Sequence, residues 1–123
     1  MREIKFRAWD AVKQEFIYSD LIAGGMWRYF KTLEDRGIRH HESQQYTGVV
    51  NKQGKEIYNS DLLKDKLGNA NEVYWDGRTY SYRLRINGEL QFDKTRFIGW
   101  AKFMELIGNT KENPKLLKGG QSK

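Results

Sequence analysis

The 123-residue sequence contains no cysteine. That excludes disulfide scaffolds, thiolate zinc sites and a cysteine nucleophile. It contains one proline, too few for a polyproline ligand or a Pro-rich linker. Histidine occurs only as the adjacent pair His40-His41. Neighbouring side chains diverge on a helix or a strand, and no H-x-H or H-E-x-x-H motif is present, so the pair reads as solvated loop. No apolar run approaches the roughly 20 residues of a membrane span. Met1-Arg2-Glu3 does not open a signal peptide. These absences lead to the expectation of a soluble cytoplasmic chain without a metal or cofactor.

What is abundant is aromatic side chain and glycine. Seven Tyr, six Phe and four Trp offset a mean hydropathy of −0.84 and 31% charged residues, because each aromatic ring brings a large apolar area to a small core. Twelve Gly indicate tight turns between short strands. The length leads to the expectation of a single domain over 1–118, built on one core, with a flexible tail at 119–123. The net charge of +6 is unevenly spread. Residues 1–41 carry 8 basic against 6 acidic side chains, residues 42–100 carry 9 against 8, and residues 101–123 carry 5 against 2. The centre is thus nearly neutral and the end of the chain is cationic, which suits solubility better than a dedicated polyanion groove.

Hydrophobic periodicity places the elements. Ile4, Phe6 and Ala8 alternate with Glu3, Lys5 and Arg7, which predicts a half-buried strand with its charges in solvent. A polar loop of about four residues leads to Phe16-Ile17-Tyr18 and closes a hairpin. Met26, Tyr29, Phe30 and Leu33 share one helical face, with Gly37 to stop a helix over 26–36. Residues 36–45 read as a polar loop. Strand, turn and strand follow over 45–58, with Gly54 ending the turn. Another strand begins at Leu62-Leu63-Lys64, before a turn at Leu67-Gly68.

Asp76-Gly77 predicts a two-residue type I′ hairpin that pairs Trp75 with Arg78 and Val73 with Tyr80. Val73, Trp75, Tyr80, Tyr82 and Leu84 then share the core face. At Asn87-Gly88 a two-residue loop would mix core and solvent faces. A three-residue bulged loop, Ile86-Asn87-Gly88, instead pairs Leu84 with Leu90 and Tyr82 with Phe92. Phe97, Ile98 and Trp100 form a further apolar segment, and residues 103–107 suit either a helical turn or a last strand. Asn113-Pro114 reads as a helix start.

Three ordered stretches resemble the YopX family of bacteriophage and prophage proteins. They are the opening Met1–Asp10 with Trp9, the segment from Gln45 to Asp61, and the close from Ile107 to Leu117. The central stretch carries Tyr46, Thr47, Gly48, Gly54, Ile57, Tyr58 and Asp61; the last carries Gly108, Asn109, Asn113 and Pro114. The resemblance implies a mainly β fold: a small SH3-like β-barrel core of antiparallel strands with an N-terminal hairpin and one or two short helices. It implies a phage or prophage origin and carries no established activity. Asn59-Ser60 stands where the family has Glu-Gly before the Asp, and Lys115 replaces a usual acid.

Three functional readings follow. The first is a non-catalytic module that binds another macromolecule, protein before nucleic acid, with a homo-oligomer also open. The second is nucleic-acid binding through Tyr74, Arg83 and Arg85, an aromatic and cationic set on the sheet face opposite the core. An ordinary solvated face, with Arg85 paired to Glu89, competes with it. The third is a carboxylate-dependent enzyme using Glu56, Asp61 and Asp65, against which Asp61 reads as a turn residue. The Gly-containing stretches lack the strand, turn and long-helix order of a phosphate-binding loop. No catalytic constellation is visible, so the chain is expected not to be an enzyme.

Overall fold

The computed structural model describes residues 4–86 and 95–113. The bulged turn at Asn87-Gly88, the helix start at Pro114 and the tail at 119–123 lie outside the described residues. The chain is mainly β. Its strands are β1 (Phe6–Asp10), β2 (Glu15–Tyr18), β3 (Gln44–Val50), β4 (Glu56–Tyr58), β5 (Asp61–Lys64), β6 (Ala70–Asp76), β7 (Ser81–Ile86), β8 (Thr95–Phe97) and β9 (Glu105–Asn109). Among the described residues, one α-helix, α1 (Met26–Asp35), and short 3₁₀ turns complete it. The chain divides into two compact units, Met1–Tyr46 and Thr47–Lys123.

In the first unit β1 pairs antiparallel with β2, from Asp10↔Glu15 to Arg7↔Tyr18, and with the start of β3. The four-residue loop of the predicted hairpin is therefore present. Helix α1 spans the segment that periodicity marks. It ends in a Schellman motif, with Ile38 N donating to Leu33 O at 2.8 Å and Gly37 N to Glu34 O at 3.1 Å. The motif needs a left-handed residue at Gly37, whose φ is 75°. Tyr29 and Leu33 close a core with Ala8 and Ile17, with Phe6, Met26, Phe30 and Ile38 packed around it.

The charged side of β1 departs from the alternation rule. Lys5 and Arg7 are buried, while Ile4 is exposed. Each cation lies on a ring: the Arg7 guanidinium is 4.1 Å from the Phe16 centroid and the Lys5 ammonium 4.7 Å from that of Tyr46. Arg7 Nε also donates to Gln44 Oε1 at 2.8 Å. Cationic heads seated on aromatic faces let this side of the sheet be covered without abandoning charge.

In the second unit five strands form an antiparallel sheet in the order β8-β7-β6-β5-β9. A second core gathers Ile57, Leu63, Val73, Tyr82, Leu84, Ala101 and Met104, with Val49, Ile98 and Leu106 against it. The buried apolar residues thus gather in two clusters, one in each unit. Aromatic side chains make this physically accessible, since the first cluster is built around a fully buried Tyr29.

The β6–β7 hairpin corrects the predicted register. Asp76 pairs with Ser81, Trp75 with Tyr82 and Val73 with Leu84, so the loop holds four residues instead of two. Asp76 Oδ1 accepts from Arg78 N at 2.9 Å, and Tyr80, not Gly77, takes the left-handed conformation at φ 53°. The side chain of Asp76 folds the chain into a longer Asx-type turn. The register moves by an even number, so Val73, Trp75, Tyr82 and Leu84 keep a common face. Tyr80 leaves it for the exposed loop, and Trp75 is half exposed against Tyr82.

Candidate docking groove

The segment Ile98–Phe103 is a 3₁₀ helix, and β9 follows it. Three residues per turn put i and i+3 on one face. Ile98, Ala101 and Met104 accordingly face the core. Trp100 and Phe103 form the opposite set, and remain 56% and 66% exposed. Their ring centroids are 6.4 Å apart in an edge arrangement.

The β5–β6 turn supplies the facing wall. Asp65 Oδ1 accepts from Leu67 N at 3.0 Å and Asn69 N at 2.9 Å, while Oδ2 accepts from Asn71 Nδ2 at 3.2 Å. Gly68, at φ 85°, completes the turn. The locked turn holds Leu67 outward, 84% exposed. Asp65, Lys66, Leu67, Trp100, Phe103 and Met104 together line a cavity of about 420 Å³, with the buried Met104 as its floor. Of these residues, sequence reasoning singled out only Asp65, and as a carboxylate rather than as part of a groove. The signal was the spacing of Trp100 and Phe103, which is legible only once the segment is read with a period of three.

Tyr74, Arg83 and Arg85, singled out from the sequence, do lie together on β6 and β7. Tyr74 pairs with Arg83 across the strands. The Arg85 guanidinium lies 4.5 Å from the Tyr74 centroid, and that of Arg83 lies 4.7 Å from Phe97. Their charges are matched from within: Arg85 Nε donates to Glu72 Oε1 at 3.0 Å, and Arg83 Nε is 4.0 Å from Asp76 Oδ2. Glu72, from the neighbouring strand, takes the place considered for Glu89, which is outside the described residues. The two arginine side chains are only 12% and 21% exposed. A shallow depression of about 400 Å³ beside them is lined by Tyr74, Trp75, Asp76, Arg78 and Arg85.

The three carboxylates weighed as an acid–base set serve the backbone where their partners are seen. Asp61 is buried and its Oδ2 accepts from Tyr58 N at 2.7 Å. Asp65 caps its turn as described, and Glu56 opens β4. His40 and His41 are exposed in a 3₁₀ turn, with the His40 ring 4.9 Å from that of Phe30. Among the described residues no group of three or more His, Asp or Glu is placed to hold a metal ion. No helix among them is long and apolar enough to cross a membrane.

The motif residues, in contrast, lock turns. Thr47 Oγ1 donates to Ile57 O at 2.7 Å beside Gly48, whose φ is 91°. Asn109 Oδ1 accepts from Lys111 N and Glu112 N at 3.0 and 2.7 Å, and Asn113 N donates to Asn109 O at 2.8 Å. Trp9 packs edge-on against Phe16 at 5.0 Å, and Tyr46 carries Lys5. Asp61 and Gly108 sit where β5 and β9 pair across an irregular register. Ile57 and Tyr58 are buried and Gly54 closes its turn at φ 77°.

These features define a class: a mainly β chain of turn-locked antiparallel strands that exposes an apolar groove. The family model described as YopX protein matches residues 5–118. The chain belongs to the YopX family. Among solved structures it is similar to protein EF1440 from Enterococcus faecalis, at 21% identity and a TM-score of 0.49, over 95% of this chain and 99% of that one. No curated protein matches it.

Proposed function

We propose that this chain is a non-catalytic accessory protein of a phage or prophage that binds another protein, and that it docks the partner in the groove between Leu67, Trp100 and Phe103. The carrying observation is the exposure of three large apolar side chains around a formed cavity with a buried methionine floor. Aromatic anchors in a pocket are the usual energetic centre of protein interfaces. An SH3-like reading of the second unit, in which loops and one face meet partners, agrees with this placement by analogy of fold alone.

The test is photocrosslinking in cells that express the chain, with a benzoylphenylalanine in place of Phe103 and, as control, in place of the exposed Val12. The expected result is a discrete protein adduct from position 103 that is absent from position 12 and weakened by Trp100→Ala. Equal labelling from both positions, or none from 103, overturns the reading.

Nucleic-acid binding through Tyr74, Arg83 and Arg85 is the second reading, favoured by the stacking of both guanidiniums on rings of one face. It is the weaker one, because Glu72 and Asp76 already balance these charges, whereas a polyanion site keeps its cations available. Salt-sensitive retention of single-stranded DNA or RNA, lost in Arg85→Ala, would reverse this ranking.

A further inference from the structure

We infer that the cavity at the β6–β7 loop is a binding site for the phosphoryl group of a small phosphomonoester, held by the guanidiniums of Arg85 and Arg78. It shares no residue with the groove, so the two sites stand or fall separately. The donors of Arg85 carry the argument. A guanidinium has five N–H donors in a fixed fork. In Arg85 the Nε–H is engaged by Glu72 Oε1 at 3.0 Å, while no acceptor among the described residues takes a hydrogen bond from Nη1 or Nη2. The side chain is held in place from within, 4.5 Å from the Tyr74 centroid and only 21% exposed. With Tyr74, Trp75, Asp76, Gly77 and Arg78 it lines a cavity of about 400 Å³. Arg78 stands at the rim, its side chain 68% exposed.

Charge selects the occupant. Two guanidiniums and one carboxylate line the cavity. That carboxylate serves its own loop: Asp76 Oδ1 accepts from Arg78 N at 2.9 Å, and Oδ2 is buried, 4.0 Å from Arg83 Nε. With Arg83 and Glu72 included, three arginines against two acids leave a net positive charge. A phosphoryl group brings three acceptor oxygens and about −1.5 to −2 charges, which can engage the open edge of Arg85 and the Arg78 guanidinium together. The two oxygens of a carboxylate are satisfied by a single fork. A nucleic-acid strand needs a run of available cations, and here Glu72 and Asp76 offset two of the three.

The test titrates the full, isotope-labelled chain with phenyl phosphate, inorganic phosphate, benzoate and a single-stranded oligonucleotide. Amide and arginine Nε NMR shifts report both place and affinity. Phenyl phosphate is expected to saturate, to shift residues 74–78 and 85, and to bind at least about tenfold more tightly than benzoate. Arg85→Lys keeps the charge but loses the fork, and should weaken phenyl phosphate by about tenfold. Arg78→Gln, altered at an exposed position, should weaken it too, with an unchanged urea midpoint. Equal affinity for inorganic phosphate would make the free ion a sufficient ligand, and a preference for phenyl phosphate would make it an organic ester; both uphold the phosphoryl site.

Shifts that fail to saturate by about 10 mM, or that persist unchanged in Arg85→Lys, overturn the inference. Benzoate binding as tightly as phenyl phosphate overturns it as well. Displacement of phenyl phosphate by the oligonucleotide at a lower concentration of phosphate groups would return this face to nucleic acid and overturn the small-ligand assignment. If Arg85→Lys fails to fold, Arg78→Gln decides: an affinity for phenyl phosphate equal to that of the parent overturns the site.

Discussion

Ser60 holds a backbone conformation that side chains of L residues adopt at a cost. Its φ is 75°, at the position where the family resemblance implies glycine. The turn between β4 and β5 is nevertheless made. Ser60 N donates to Val73 O and Ser60 O accepts from Thr110 N, both at 2.9 Å, and the Asp61 carboxylate ties back to Tyr58 N. Surrounding hydrogen bonds impose the left-handed geometry instead of glycine permitting it. Ser60→Gly should therefore raise unfolding stability by up to about 1 kcal/mol, the relief of left-handed strain less the entropy glycine adds to the unfolded chain. Urea denaturation of the two proteins checks this. A loss of stability would mean that the Ser60 hydroxyl, 3.1 Å from Asn59 Oδ1, contributes more than the strain costs.

At the scale of elements, one buried amide joins three pieces of chain. Asn51 Oδ1 accepts from Gln53 N and Lys55 N at 3.0 Å, closing the turn between β3 and β4, and its Nδ2 donates to Met104 O at 3.1 Å. Gln53 Oε1 then accepts from Leu106 N at 3.0 Å, so the turn is pinned to the entry of β9. Asn51→Ala leaves several buried groups unpaired and should cost about 2–3 kcal/mol, measured as a lower denaturation midpoint with an unchanged slope. Elements were legible wherever a pattern repeats: the β1–β2 hairpin, α1 with its Gly37 stop, and the strands from β3 to β7. What was not legible depends on partners distant in sequence or on side chains that override the backbone preference. Arg7 is buried because Phe16 and Gln44 receive it. The Asp76-Gly77 pair fails as a type I′ turn because the Asp76 carboxylate captures Arg78 N. Trp100 and Phe103 escaped selection because a single i, i+3 pair in a six-residue segment makes no repeat, while Tyr74, Arg83 and Arg85 were found because strand alternation gathers them.

Across the whole molecule, one buried aspartate in each compact unit anchors a hairpin loop, and both should make the fold sensitive to acid. Asp10, at the β1–β2 loop, is held below the ordinary value of 3.8 first by Lys13 N, then by Arg36 and Val12 N, against the opposing effect of burial. Asp76, at the β6–β7 loop, is held below 3.8 first by Arg78 N, then by the Thr79 hydroxyl and the charges of Arg78 and Arg83, again against burial. A carboxyl whose folded value is depressed stabilises the native state above its unfolded value, and that contribution disappears as pH falls through the folded value. Stability should thus be flat with respect to these two groups at neutral pH and fall from about pH 4 downward. Asp10→Asn and Asp76→Asn should each lower stability at neutral pH and flatten the acid limb, so that variant and parent converge at low pH. Urea midpoints collected between about pH 7 and about pH 2 test both variants. An acid limb as steep in both variants as in the parent would assign the acid sensitivity to other carboxylates.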